Sequence, residues 1–174
     1  IAHRLRELAF LNKGLEIRVR DDRSEEEQSF LFEGGLVEFV QFLNEGRTPL
    51  HPQPIYLQGE RDGVGVEVAM QYNDGYQESV FTYANNIKTG DGGTHLVGFR
   101  AALTATINAY ATRNELLKSV NFAISGEDTR EGLTAVVSVK VPEPQFEGQT
   151  KSKLGNSNVR GLTQSLTGEA LGMY

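Results

Sequence analysis

Nine consecutive residues alternate without a break. Val64, Val66, Val68, Met70 and Tyr72 are separated by Gly65, Glu67, Ala69 and Gln71. Side chains switch faces at every step of a strand, so a period of two over this length specifies a half-buried strand with one apolar face. Such a strand needs neighbours on its edges and a layer over its apolar side. The chain is therefore committed to a sheet with a packed core. Asn73-Asp74-Gly75 follows directly. Asp-Gly accepts positive φ at both central positions of a tight turn, which predicts a hairpin here with Gln77 to Tyr83 as the returning strand.

The rest of the chain mixes both periods. Ile1 to Lys13 reads as a helix, with Ile1, Leu5 and Leu8 on one face and Gly14 as its stop. Leu15, Ile17 and Val19 alternate with Glu16, Arg18 and Arg20 as a strand, and Ser29 to Glu33 reads as its partner. Glu25-Glu26-Glu27 between them reads as a solvated turn. Gly34-Gly35 breaks the pattern, and a domain boundary is placed there. Leu36, Phe39, Val40 and Leu43 form one face of a short helix ending near Gly46. Pro49, Pro52 and Pro54 mark an extended connection to a strand over Ile55 to Gln58. Thr94 is a candidate N-cap for a long helix with Leu96, Phe99, Leu103, Ile107 and Tyr110 on its apolar stripe. Strands are expected over Val120 to Ile124 and Leu133 to Val141. Val159, Leu162, Leu166 and Ala170 place a final amphipathic helix that runs to the end of the chain. Strands and helices do not alternate strictly, which points to an α+β fold.

Composition removes several classes. The 174 residues suit one domain, or one domain plus a fragment, and 39% hydrophobic against 23% charged residues is enough for a real core. No apolar run approaches the roughly 18 residues of a membrane span. With no Cys there is neither disulfide nor thiolate metal site, which fits a cytoplasmic location. His3, His51 and His95 are too scattered to suggest a metal site. A net charge of −6 argues against a generally basic nucleic-acid module, although not against a local basic surface.

The main chemical candidate is the loop Gly148-Gln149-Thr150-Lys151-Ser152-Lys153-Leu154-Gly155-Asn156. Gln149 supplies a neutral donor and Lys151 a point charge two residues away, between glycines, a combination suited to a terminal phosphate. A surface loop with two lysines is also common, and the residues alone leave both readings open. Asp91-Gly92-Gly93-Thr94-His95 has the form of glycines leading into a helix N-terminus. Asp91 would repel a phosphate, so a structural cap is the favoured reading there, with His95 packed or hydrogen-bonded. Glu127-Asp128 before Arg130-Glu131 reads as a loop salt bridge, and Asn85-Asn86 as hydrogen-bonding residues at a strand end.

Several stretches carry a resemblance. Arg130-Glu131-Gly132-Leu133 leading into Gln149-Thr150-Lys151, Gly63-Val64-Gly65-Val66-Glu67-Val68-Ala69, Tyr83-Ala84-Asn85-Asn86-Ile87, Asp91-Gly92-Gly93-Thr94-His95-Leu96-Val97-Gly98-Phe99-Arg100 and the opening Arg4-Leu5-Arg6-Glu7-Leu8 all resemble the gyrase B family of bacterial topoisomerases. The likeness runs in order along essentially the whole chain. The B-type component of topoisomerase IV shares Gln-Thr-Lys and Gly-Gly-Thr-His and is the alternative; the Arg-Glu-Gly-Leu wording fits gyrase better. A structural module of the same fold without ligand contact is a further alternative. Sugar kinases related to galactokinase would need a phosphate loop that is not present.

The resemblance implies that residues 35–174 form a transducer domain, truncated in its last helix. Its fold would be that of the second domain of ribosomal protein S5, with a left-handed βαβ crossover that general handedness rules would not suggest. Residues 1–34 would be the last helix and hairpin of the preceding ATPase domain. Lys151 would act as a catalytic cation and, with Gln149, contact the γ-phosphate of ATP. Arg100 would face a central hole and meet DNA backbone, against the alternative of an ordinary surface Arg. ATP and Mg²⁺ would be bound mainly by the ATPase domain of the same polypeptide, and no metal by this chain. The implied partners are DNA, the gyrase A subunit and a second copy of the full-length protein, with weak or no dimerisation of this fragment. The fragment alone would be inactive, while the parent enzyme would introduce negative supercoils.

Overall fold

The computed structural model describes all residues from Ile1 to Tyr174. Helix α1 (Ala2–Leu11) leads into a two-stranded antiparallel ribbon, β1 (Ile17–Asp21) and β2 (Glu26–Phe30). Helix α2 (Leu36–Leu43), strands β3 (Ile55–Arg61), β4 (Val64–Tyr72), β5 (Ser79–Ala84) and β6 (Ile87–Lys88), and helix α3 (Thr94–Arg113) follow. The chain closes with α4 (Gly126–Arg130), β7 (Leu133–Lys140) and α5 (Ser157–Leu171). The larger sheet has the order β3-β4-β7-β5-β6. Its pairs are antiparallel except β5 with β7, which run parallel. The fold is therefore α+β around a mixed sheet.

The alternating run is β4, and its even-numbered residues do form a core face. Val64, Val66, Val68 and Met70 share that face with Ala135, Val137 and Val139 of β7, packed against Phe99 and Leu103 of α3 and Val159 of α5. The opposite face is covered in part by a second cluster. Ala69, Tyr83 and Val136 meet Leu36, Phe39 and Val40 of α2 and Phe10 and Leu11 of α1. Strand β7 is buried on both faces and at every position but Lys140, which is why its sequence reads as an almost continuous apolar run.

Four of the expected elements differ, each for a reason visible in the contacts. The hairpin at Asp74-Gly75 does not form. Strand β4 pairs with β3 and β7, and β5 lies beyond β7. The tight turn falls at another Asp-Gly pair, Asp62-Gly63, with φ of 54° and 75° between paired Arg61 and Val64. At the expected site the Asn73 amide N–H donates to the Gly132 carbonyl and the Asn73 carboxamide oxygen accepts from the Gly75 N–H, so the chain leaves the sheet. The segment 120–124 is not a strand. Asn108 of α3 accepts from the Ile124 N–H at 2.8 Å and donates to its carbonyl at 2.9 Å, taking both groups a ladder would use. The ribbon's second strand begins earlier than expected, because a turn with Glu25 at φ 57° puts Glu26 and Glu27 opposite Asp21 and Arg20. Finally, α5 ends at Leu171 rather than running through Tyr174; the Gly172 N–H closes it on the Gly168 carbonyl.

Candidate functional site

The loop after β7 is tied at its root to the start of α3. Phe146 and Leu154 form an antiparallel bridge, with the Glu147 N–H on the Lys153 carbonyl at 2.8 Å and the Gly155 N–H on the Gln145 carbonyl at 2.7 Å. Asn156 braces this root: its carboxamide accepts from the Gln145 N–H at 2.7 Å and donates to the Glu143 carbonyl at 3.0 Å. Leu154, wholly buried, also bridges to Gly93 in parallel. The Leu154 N–H reaches the Gly92 carbonyl at 3.1 Å, the Leu154 carbonyl accepts from the Thr94 N–H at 3.0 Å, and the Asp91 N–H reaches the Ser152 carbonyl at 2.9 Å. Two separate glycine-bearing motifs are thus one structure.

This arrangement explains Gly92-Gly93. Gly93 has φ 137°, and a Cβ on it would lie 2.4 Å from the Leu154 carbonyl oxygen and 2.5 Å from its nitrogen. The α3 N-terminus has no side-chain cap; Gly93, not Thr94, holds the N-cap position. The Leu154 carbonyl takes the place of the capping side chain for the first N–H. The helix start is therefore covered by peptide, in agreement with a structural role for these glycines.

Above the root, the loop carries its donors outward. Gln149 and Lys151 are exposed, and neither makes a side-chain hydrogen bond or ion pair within 4.0 Å. Lys153, by contrast, pairs with Glu147 at 3.1 Å. The Thr150 and Ser152 hydroxyls meet at 3.0 Å across Lys151, whose backbone is left-handed at φ 55°. That conformation costs a non-glycine residue about 1–2 kcal/mol. The tip is thus a pinned turn presenting one uncompensated ammonium and one free carboxamide.

Arg100 sits elsewhere. On α3 it grips the Glu78 carboxylate at 2.7 Å, and Arg130 approaches the same oxygen at 3.1 Å. Two guanidiniums share one carboxylate, so these three side chains together carry one net positive charge. Arg130 is thereby drawn away from Glu127 and Asp128; Asp128 instead closes a reciprocal cap with Ser125 at the start of α4. Asn85 and Asn86, both at positive φ, form the β5–β6 turn, and the Asn85 carboxamide pairs with both backbone groups of Val141. His95 is fully buried at the start of α3 with Nε2 3.0 Å from the Thr89 hydroxyl, and burial pushes its pKa down to about 4. No three His, Asp or Glu side chains converge as a metal-binding group. The structure adds Leu154 and Asn156, the root residues, to the site; a lone Leu in a polar loop is the one sequence signal that points to them.

Comparison with known proteins places these features in a family. The family profile described as DNA gyrase B matches residues 35–174. The chain is 53% identical over its whole length to the DNA gyrase B protein of Myxococcus xanthus, of which it spans 21%. It is 56% identical over 98% of its length to that of Streptococcus pyogenes, of which it spans 26%. The chain thus spans about a quarter of the length of these relatives. Among solved structures, the 43K ATPase domain of Thermus thermophilus gyrase B in complex with an aminocoumarin superimposes with a TM-score of 0.89 at 40% identity, over 99% of this chain and 46% of that one. The ATP-binding domain of Francisella tularensis topoisomerase IV, in complex with a small-molecule inhibitor, gives 0.83 at 26% identity over 99% and 46% of the two chains.

Proposed function

The chain belongs to the DNA gyrase B family, and on that premise we propose that it is the part of an ATP-dependent type II topoisomerase that reads the terminal phosphate of ATP and converts its presence into domain movement. The observation that carries this reading is the unpaired Lys151, held with Gln149 on a loop pinned to α3. An ammonium and a carboxamide carried on a loop with a pinned root suit the oxygens of a terminal phosphoryl group, where charge builds in the transition state. Lys151 is the catalytic cation and Gln149 the second donor. When bound, ATP supplies a γ-phosphate that exists only until hydrolysis, so the Lys151 contact distinguishes the nucleotide states and biases the domains.

Residues 35–174 are the transducer, with the topology of the second domain of ribosomal protein S5 and a left-handed crossover from β5 to β7. Residues 1–34 are the tail of the ATPase domain. The profile match beginning at residue 35 supports that division. Most nucleotide contacts and the Mg²⁺ ligands lie on the ATPase domain. The parent protein acts on DNA with the gyrase A subunit, as a homodimer, in negative supercoiling. Arg100, with Arg130 sharing Glu78, offers a net charge to DNA backbone without reading sequence.

The test is nucleotide turnover by the longer protein, carrying the full ATPase domain, with Lys151→Ala. Loss of one positioned charge costs about 2.7–4 kcal/mol of transition-state stabilisation, or roughly a hundred- to a thousandfold in rate. Turnover that collapses while ADP binding persists supports the reading; unchanged turnover makes the loop structural. The isolated 174-residue chain is expected to hydrolyse no ATP.

A further inference from the structure

Beneath the loop root lies a buried string of polar groups that touches neither Gln149 nor Lys151. The Thr82 hydroxyl on β5 is 3.0 Å from the Thr89 carbonyl and 2.7 Å from the Thr89 hydroxyl, and that hydroxyl is 3.0 Å from His95 Nε2. Thr82, Thr89 and His95 are 4%, 2% and 0% exposed. Proton counting orients the string. The single Thr82 proton goes to the Thr89 carbonyl, so the Thr89 hydroxyl donates to the Thr82 oxygen. The Thr89 oxygen must then accept, and His95 is the donor, protonated on Nε2. This leaves His95 Nδ1 as a bare lone pair, and Nδ1 has no hydrogen-bond partner in the structure. A protonated imidazole would bury an N–H there without an acceptor, consistent with a ring kept neutral by burial.

The string ties the sheet to the segment that holds the loop. Thr89 is joined to Thr82 also through its backbone N–H at 2.9 Å and accepts the Gly92 N–H at 2.9 Å. Asp91, Gly92 and Thr94 then make the three bonds to Ser152 and Leu154, the residues just after Lys151. We propose that His95, as a neutral Nε2–H donor to Thr89, is a positioning residue that sets where the Lys151 ammonium stands. The proposal rests on the phosphate-sensing reading of Lys151 and extends it to a side chain that touches no ligand.

The test uses His95→Leu, His95→Gln and Thr89→Val. Gln reproduces an N–H near the Nε2 position; Leu does not, and Val deletes the acceptor. In the 174-residue chain, imidazole ¹⁵N shifts should show the Nε2–H tautomer. Amide exchange of Asp91 and Leu154 should quicken about tenfold or more in the Leu and Val variants, with β4 and β7 unchanged and Gln near the parent. In the longer protein, the same two variants should lower kcat/KM roughly ten- to a hundredfold with ADP affinity nearly constant, and no further on a Lys151→Ala background. Unchanged exchange at Asp91 and Leu154, or an Nδ1–H tautomer, overturns the positioning role whatever the turnover. Quickened exchange with turnover indifferent both to these variants and to Lys151→Ala supports the tie to the loop but overturns its catalytic consequence. In that case it is the phosphate-sensing reading that has failed.

Discussion

Gly93→Ala is the sharpest perturbation of the loop root. The added methyl would lie 2.4 Å from the Leu154 carbonyl oxygen, 2.5 Å from its nitrogen and 2.9 Å from its Cα, all backbone, at φ 137°. No rotamer can relieve that overlap, so Leu154 must leave its bridge. Two backbone hydrogen bonds are then lost, from Leu154 to Gly92 and from Thr94 to Leu154. They contribute about 1 kcal/mol each. Partial exposure of the Leu154 side chain adds about 1–2 kcal/mol. Backbone strain at residue 93 adds roughly 1 kcal/mol more. The sum is about 4–5 kcal/mol, capped because the loop can detach while the sheet stays folded. In urea, with a slope of about 2 kcal/mol/M, a midpoint shift of about 2–2.5 M would follow if the whole loss enters global unfolding. If it is local, the signature is fast exchange confined to residues 91–94 and 147–155. Gly148→Ala is the control: it also has positive φ, 78°, but nothing stands within 4 Å of its Cβ. It should cost only about 1 kcal/mol. If Gly93→Ala and Gly148→Ala behave alike in both midpoint and exchange, the bridge between Gly93 and Leu154 does not hold the loop.

Acid should weaken the fold partly through His95. Its folded pKa of about 4 lies below the ordinary histidine value of 6.5, so between these limits the unfolded chain binds more protons. Stability is fully present above pH 6.5 and is lost as pH falls toward 4. The shift is worth about 3 kcal/mol, read as the difference between the parent's pH–stability curve and that of His95→Gln, which should be flatter there. Asn108→Ala should release both backbone groups of Ile124 and cost about 1–2 kcal/mol, seen as faster proteolytic nicking between residues 117 and 125 with little change in sheet exchange.

Regular elements were legible wherever their own periodicity was strong. Val64 to Tyr72 announces β4 because one of its faces is core, and Leu133 to Val141 announces β7 because both are. Two of the three Asp-Gly pairs show where such reading stops. Asp62-Gly63 and Asp74-Gly75 carry the same local signal, and the choice between them is made by distant partners. Asn73 is claimed by Gly132, Asn44 and Thr134, which a sequence window cannot contain. Val120 to Ile124 looks like a strand for the same reason, because the carboxamide that disables it belongs to α3. At the candidate site, the donor types and flanking glycines of Gln149 and Lys151 are visible locally. The need for Gly93 is not, since its cause is Leu154, far along the chain.

Whether Lys151 meets a terminal phosphate is decided by the triphosphate-to-diphosphate affinity ratio. A non-hydrolysable ATP analogue and ADP would be titrated into the longer protein, parent and Lys151→Ala. A hydrogen bond from a charged group contributes about 1.5–3 kcal/mol, so the variant should lose roughly ten- to a hundredfold in affinity for the triphosphate and almost none for ADP. Equal losses for the two nucleotides, or none for either, would contradict a γ-phosphate contact at Lys151.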